Sequence, residues 1–173
     1  MRLFKLACAA AVAANALIAA PAVAAPVAAS SNVDGKALIL VPLTLTKIRD
    51  LDFGTVIPSS TPGTVAINAA TGVRSVTGGV VAVPSDAGSS ARFAGAGTPD
   101  QQVLVAISPP TELASAAGET IAVGGMTLDG APMRTIDATT RTFFVNVGGT
   151  LNIAPNQPEG DYSAEFWVTA VYQ

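Results

Sequence analysis

The sequence predicts an all-β fold, a sandwich of short antiparallel strands. Three observations carry that expectation. Val, Ile and Thr are abundant and fall in short runs, the residues and lengths that strands favour. Gly, Pro, Asn and Asp punctuate the runs throughout, and many short strands with turn signals argue a sandwich. No segment shows a convincing amphipathic helix. The best helical candidate is Thr111–Ala117, behind Pro109-Pro110, and it spans one or two turns at most.

The clearest strand closes the chain. Tyr162, Ala164, Phe166, Val168, Ala170 and Tyr172 alternate with Ser163, Glu165, Trp167, Thr169 and Val171. Period-two alternation puts the first set on one face, against the core. Gly160-Asp161 marks the turn into it. Thr142–Val147 and Thr150–Ile153 flank Gly148-Gly149, a hairpin signal. Gln101–Ser108 places Val103, Val105 and Ile107 on one face. Leu51–Ile57, Gly63–Asn68, Gly79–Val83 and Ser90–Ala94 are further short strands. Glu119–Met133 is Gly-rich and predicts short strands with wide loops. No fixed-period repeat and no second composition regime appear, so residues 37–173 read as one β-sandwich domain.

Ahead of that domain, residues 1–24 read as a secretory signal peptide. Arg2 and Lys5 supply a positive start, Leu6–Ala20 an apolar stretch broken only by Asn15, and Ala22 and Ala24 the small-x-small pattern of a cut after Ala24. The apolar run falls short of the ~20 residues that a spanning helix needs, so no transmembrane segment is expected. Cys8 lies inside the signal, and a lipoprotein cysteine would follow the apolar run. The exported chain then has no cysteine and no disulfide, in a compartment that permits them. Residues 25–36 form a flexible leader.

Composition removes several function classes. The chain holds nine Lys and Arg against twelve Asp and Glu. Losing Arg2 and Lys5 leaves seven cations and a net charge of about −5, which argues against nucleic acid and anionic membrane surfaces. Histidine is absent, which excludes Ser-His-Asp and Cys-His catalysis and imidazole metal sites. Without a cysteine in the exported chain, thiolate chemistry and zinc–sulfur sites go too. Asp50 and Asp52 would share one strand face, as a glycosidase or calcium site needs, but Arg49 is adjacent and no third acid is near in sequence. They read as turn and strand-edge charges, and Asp129, Asp137 and Asp161 as turn acids. Gly78-Gly79, Gly124-Gly125 and Gly148-Gly149 lack the Lys and helix start of a phosphate loop and read as turns or bulges. No catalytic residue, cofactor or metal is expected. Trp167, on the outer face of its strand, is the one aromatic placed to meet a sugar or a partner.

Ala37–Leu45 is a nearly continuous apolar run interrupted by Pro42. Proline cannot donate to a ladder, so the run reads as an edge or bulged strand. It can pair within its own fold or with another molecule.

Leu51-Asp52-Phe53-Gly54-Thr55-Val56, Gly63-Thr64-Val65 and the closing Gly160–Tyr172 segment resemble a secreted bacterial family, the domains of unknown function numbered 4402. The end pattern is also similar to the pilin subunits of chaperone–usher fimbriae, with Tyr172 matching their aromatic just before the C-terminus. The disulfide frequent in fimbrial subunits is missing. The resemblance implies an immunoglobulin-like, pilin-like sandwich that lacks a strand and is completed by a donor strand from another subunit. Strand addition of this kind fills an exposed edge, and head-to-tail pairing gives a filament. Val27 and Ala29, or Val33, Ala37, Ile39 and Val41, have the donor pattern. Tyr162, Ala164, Phe166, Val168, Ala170 and Tyr172 would line the receiving groove. The implied partners are other copies or related subunits, with a periplasmic chaperone and an outer-membrane usher. The implied location runs from the periplasm to the cell surface of a Gram-negative bacterium. A monomeric secreted module that binds carbohydrate or a protein partner is the alternative.

Overall fold

The computed structural model describes residues 34–173. The signal segment 1–24 with its cut, Cys8, and Val27, Ala29 and Val33 of the leader lie outside the described residues. Leu38–Gln173 forms one compact unit, built of strands and loops with no helix among the described residues.

In chain order the strands are β1 (Thr44–Arg49), β2 (Val56–Ile57), β3 (Gly63–Ile67), β4 (Arg74–Gly78), β5 (Val81–Ala82), β6 (Ala91–Ala96) and β7 (Gln102–Ser108). There follow β8 (Glu112–Ser115), β9 (Thr120–Leu128), β10 (Met133–Thr135), β11 (Thr142–Ile153), β12 (Tyr162–Ser163) and β13 (Trp167–Tyr172). An eight-stranded antiparallel sheet runs β1-β6-β11-β9-β8-β12, with β3 on β11 and β4 on β3. A second sheet runs β10-β7-β13, and β2 and β5 form a short ribbon.

Twelve-residue β11 is the spine. Val147 pairs with Ala91 and with Leu128, and Gly149 with Ile67 and with Met126. A strand has two edges, so β6 and β3 follow one another along one edge of β11 and β9 takes the other. Odd-numbered residues of β11 face inward. Phe143, Val145 and Val147 join Ala91, Val103, Val105 and Ile136 in one buried cluster beneath the second sheet. Leu151 and Ile153 join Val65, Val80 and Ile121 in another. Burying each such aliphatic side chain contributes about 1.5–3 kcal/mol relative to exposing it.

Gly148-Gly149 is therefore not a hairpin. Neither glycine has a positive φ, and the strand passes straight through. A Cβ on Gly148 would collide with the Ile67 carbonyl and the Ala69 backbone, where β3 ends against the spine. Glycine is needed there for close approach of two backbones, which a sequence does not distinguish from a turn. Gly124-Gly125 fits the expected bulge. The β9 register slips between Thr150↔Gly125 and Leu151↔Val123, which makes Gly124 the extra residue and lets β9 run for nine residues where short strands are expected. Thr111–Ala117 supplies strand β8, because Leu113 pairs with Ile121 and packs on the second cluster. Tertiary pairing overrides a two-turn helical preference.

The apolar run Ala37–Leu45 enters the ladder only at Thr44, two residues after Pro42. From there β1 is an edge strand with a bulge at Ile48, between the pairs Lys47↔Phe93 and Arg49↔Arg92. Asp129, expected as a turn acid, ties the two sheets together. Its carboxylate takes an ion pair from Arg134 of β10 at 2.6 Å and a hydrogen bond from the Asn146 amide at 2.8 Å.

Asp137 does read as a turn acid. Its carboxylate accepts the Thr140 and Thr139 amides and the Thr140 hydroxyl, and these, the Thr140 amide first, hold its pKa below the ordinary 3.8. A depressed folded-state pKa contributes stability that is complete above 3.8 and is lost as the pH falls through the lower folded value. Melting temperatures should accordingly fall as the pH drops from 3.8 toward the lower folded value, and Asp137→Asn should flatten that fall. A second expectation concerns the spine: Gly148→Ala should cost about 1–3 kcal/mol by overpacking, read as a lower midpoint in urea unfolding.

Candidate functional site: an open groove along the core

The C-terminal alternation is not one strand. Tyr162 and Ser163 pair with Ser115 and Ala114 on the edge of the large sheet, whereas Trp167–Tyr172 pairs with Ser108–Val103 in the small one. Ala164-Glu165-Phe166 carries the chain from one sheet to the other. Of the six residues expected to line a groove, Val168, Ala170 and Tyr172 point inward against the first core cluster, half-buried. Phe166 joins them from the crossover and meets Phe93 edge-on, with ring centroids 6.4 Å apart and planes at 77°. Tyr162 packs on the second cluster. Ala164 is exposed but lines the groove described next.

That groove encloses about 1080 Å³. Its floor is the inner face of the large sheet, including Val65, Phe93, Met126 and Leu151. One lip is Lys47–Pro58, which leaves the edge strand β1. The other is Gln157–Trp167, which leads into β13. Half-buried residues packed on both core clusters, Phe93 and Met126 on the first and Phe53 and Leu113 on the second, line the groove.

Each lip is pinned by polar groups that pattern reading missed. The Arg74 guanidinium donates to the carbonyls of Phe53, Thr55 and Asp86 through Nη1, at 3.2, 3.1 and 2.7 Å. Its Nη2 donates to the Val83 carbonyl at 2.7 Å. One delocalised cation thus holds the first lip against the β5–β6 connection. On the second lip the Tyr162 hydroxyl donates to the Pro158 carbonyl at 2.8 Å and accepts from the Gln157 amide at 3.1 Å. Gln157 also reaches the Thr120 carbonyl at 3.1 Å. A lone Arg in a strand flanked by loops was the available signal, but its acceptors are main-chain atoms, which carry no sequence signature.

Past Trp167, where the groove ends, the outer edge of β13 is open. Among the described residues no strand pairs with its outer side. The Gln173 amide donates to the Gln102 carbonyl, which fixes the alternation in this antiparallel pair. Trp167, Thr169 and Val171 direct their main-chain groups to β7. Val168, Ala170 and Tyr172 direct theirs to the empty side.

Asp50 and Asp52 do not form a carboxylate pair on a strand. Asp50 is bound by Lys47 at 2.6 Å on the surface. Asp52 lies in a turn and accepts the Gly54 amide at 2.8 Å, while its backbone bridges Ser89. Each is spent on local structure. Among the described residues no cluster of three or more Asp, Glu, His or Cys could hold a metal, and no helix is long and apolar enough to cross a membrane. Of the expected donor positions Ala37, Ile39 and Val41, all exposed, Val41 is not free: its amide donates to the Thr98 hydroxyl and its carbonyl accepts the Tyr172 hydroxyl, each at 2.8 Å. Trp167 is 68% exposed at the groove rim.

Arg74→Ala should lower stability by about 2–4 kcal/mol, since hydrogen bonds to a charged group are each worth about 1.5–3 kcal/mol and do not add fully. Arg74→Lys should restore less than half, because a point charge cannot span four carbonyls. Chemical denaturation of the three chains checks both.

The family model described as Domain of unknown function (DUF4402) matches residues 43–172. No curated protein and no solved structure matches the chain.

Proposed function

Given that the chain belongs to the DUF4402 family, we propose that it is an exported, non-enzymatic structural subunit of the cell surface, pilin-like and immunoglobulin-like in plan, that is completed by β-strand addition. The observation that carries this reading is an unpaired strand edge that continues from the end of an apolar groove. An open edge is a liability that proteins otherwise cover. An added strand meets both features together, because its backbone pairs with the edge and its alternate side chains enter the groove.

Three further features support the reading. Residues 1–24 have the form of an export signal. The apolar side chains of Leu38 and Ile39 are 73% and 91% exposed in the chain's own fold, so they are free to serve elsewhere. Absent histidine leaves little catalytic apparatus. A monomeric binding module is the second reading, favoured by the exposure of Trp167 on an outer face shared with Thr169 and Val171. It requires a protein of constant, monomeric size at all concentrations.

The single tryptophan makes the test direct, since Trp167 lines the groove rim. A synthetic peptide of residues 25–41, titrated into the chain beginning at Ala25, should shift the Trp167 emission saturably and raise the melting temperature as mass action requires. No change in either signal at millimolar peptide would contradict strand addition.

A further inference from the structure

The edge of β13 differs from the other sheet edges in what it lacks. Proteins blunt an exposed edge with a charge, a proline, a bulge, or a strand too short to pair. The other terminal strands of the two sheets each carry such a device. β1 has Lys47, Arg49 and a bulge at Ile48. β4 opens on Arg74. β10 has three residues with Arg134 at its centre, and β12 has two. β13 runs for six residues, Trp167–Tyr172, with no charge, no proline and no register shift in its pairing to β7. Among the described residues the amides and carbonyls of Val168, Ala170 and Tyr172 have no hydrogen-bond partner. An extended backbone is what matches that alternation.

We infer that this edge pairs with the same edge of a second copy, antiparallel about Ala170, to form a closed dimer. The inference rests on the open edge alone and not on what fills the groove. An edge meets itself across a two-fold axis when a residue with outward main-chain groups sits on the axis, and Ala170 is the middle one of three. Val168 of one copy then faces Tyr172 of the other, and Ala170 faces Ala170. These pairs exchange about six hydrogen bonds. The small Ala170 side chain leaves room at the axis. On the outer face Thr169 stands opposite Val171 of the second copy, with Trp167 diagonal to the same residue. Trp167 and Val171 are 68% and 53% exposed in the single copy, so the contact brings together apolar groups that the fold leaves in water. Neither β13 nor the β7 strand that supports it holds a charged residue, so no like charges meet. Within this sequence the blunted strands β1, β4, β10 and β12 offer no comparable edge, which leaves a second β13 as the matching partner. Pairing two copies of one surface is isologous and stops at two. The two three-stranded sheets become one across the axis, and an incoming strand has to displace the second copy to reach the edge.

The test is sedimentation of the chain beginning at Ala25 and of its Thr169→Lys and Val171→Glu variants. The parent should pass from monomer to dimer as its concentration rises. Both substituted side chains are exposed, and each sets like charges on the diagonal across the axis. Either variant should raise the dissociation constant about tenfold. An equimolar mixture should return to the parent's constant, because the new cation of one copy then stands opposite the new carboxylate of the other. The Val168 and Ala170 amides of the parent should slow in hydrogen exchange over the concentrations at which the dimer forms, a readout that needs no variant. The inference is overturned if the parent is monomeric up to millimolar concentration, if a dimer forms without slowing those amides, or if both variants dimerise as the parent does. Failure of the mixture to recover overturns the pairing about Ala170. The residue 25–41 peptide keeps the groove reading separate: a parent that binds it in dilute solution yet never dimerises overturns only this inference, and a parent that dimerises through β13 yet never binds it overturns only the groove reading.

Discussion

Strand β11 hydrogen-bonds along both edges and buries one entire face, and the rest of the molecule is registered on it. Its odd-numbered residues supply Phe143, Val145 and Val147 to one core cluster and Leu151 and Ile153 to the other. A one-residue slip would turn all of them to the opposite face. The even-numbered face is different in kind: Phe144 is half-exposed, with the Arg92 guanidinium 4.8 Å from its ring centre. Passing two strands in succession along one edge brings the end of β3 hard against the spine, and Gly148 is the residue that permits it. The pairing on both edges and the close approach at Gly148 fix the register of the spine, and with it the groove floor.

Above that floor the molecule stops short. Main-chain hydrogen bonding is close to an obligatory account, and β13 settles only half of it. Val168, Ala170 and Tyr172 face β7 with neither amide nor carbonyl. Their side chains cover the core only in part, so the same three residues mark an unfinished edge and an unfinished interior. The lips on either side are nonetheless well held, one by Arg74 and the other by Tyr162 and Gln157. A groove with a floor of fixed register and pinned lips costs little further ordering when it is filled, which favours binding. At the far end of β13 the Tyr172 hydroxyl accepts the Thr98 amide and donates to the Val41 carbonyl, which fixes the chain just downstream of exposed Leu38 and Ile39.

How much of this was legible in the residues varies by element. The alternation of Val103, Val105 and Ile107 placed the inner face of β7, and short Val- and Ala-rich runs located β3 and β6. Those signals are local, because a strand's faces follow from its own period. Gly148-Gly149, Thr111–Ala117 and the continuous reading of Tyr162–Tyr172 went astray for one reason. In each, the outcome depends on what lies across space: a backbone packed against Gly148, a partner strand for Leu113, and two different sheets for Tyr162 and Val168. The groove was implied by resemblance and not by pattern, since its lips come from segments a hundred residues apart in sequence, Lys47–Pro58 and Gln157–Trp167. The bonds made by the Arg74 guanidinium and the Tyr172 hydroxyl were not legible because their partners are main-chain groups, nine to 21 residues away for Arg74 and 74 and 131 away for Tyr172.

The central claim is that β13 has a free edge which an incoming strand closes. Amide hydrogen exchange resolved by residue addresses it most directly. In the dilute, unassembled chain the Val168 and Ala170 amides should exchange rapidly, while those of Thr169 and Val171, which bond to β7, stay protected. On assembly the first pair should slow to match the second. Equal protection of all four amides in the unassembled chain would contradict the account, because the edge would already be paired.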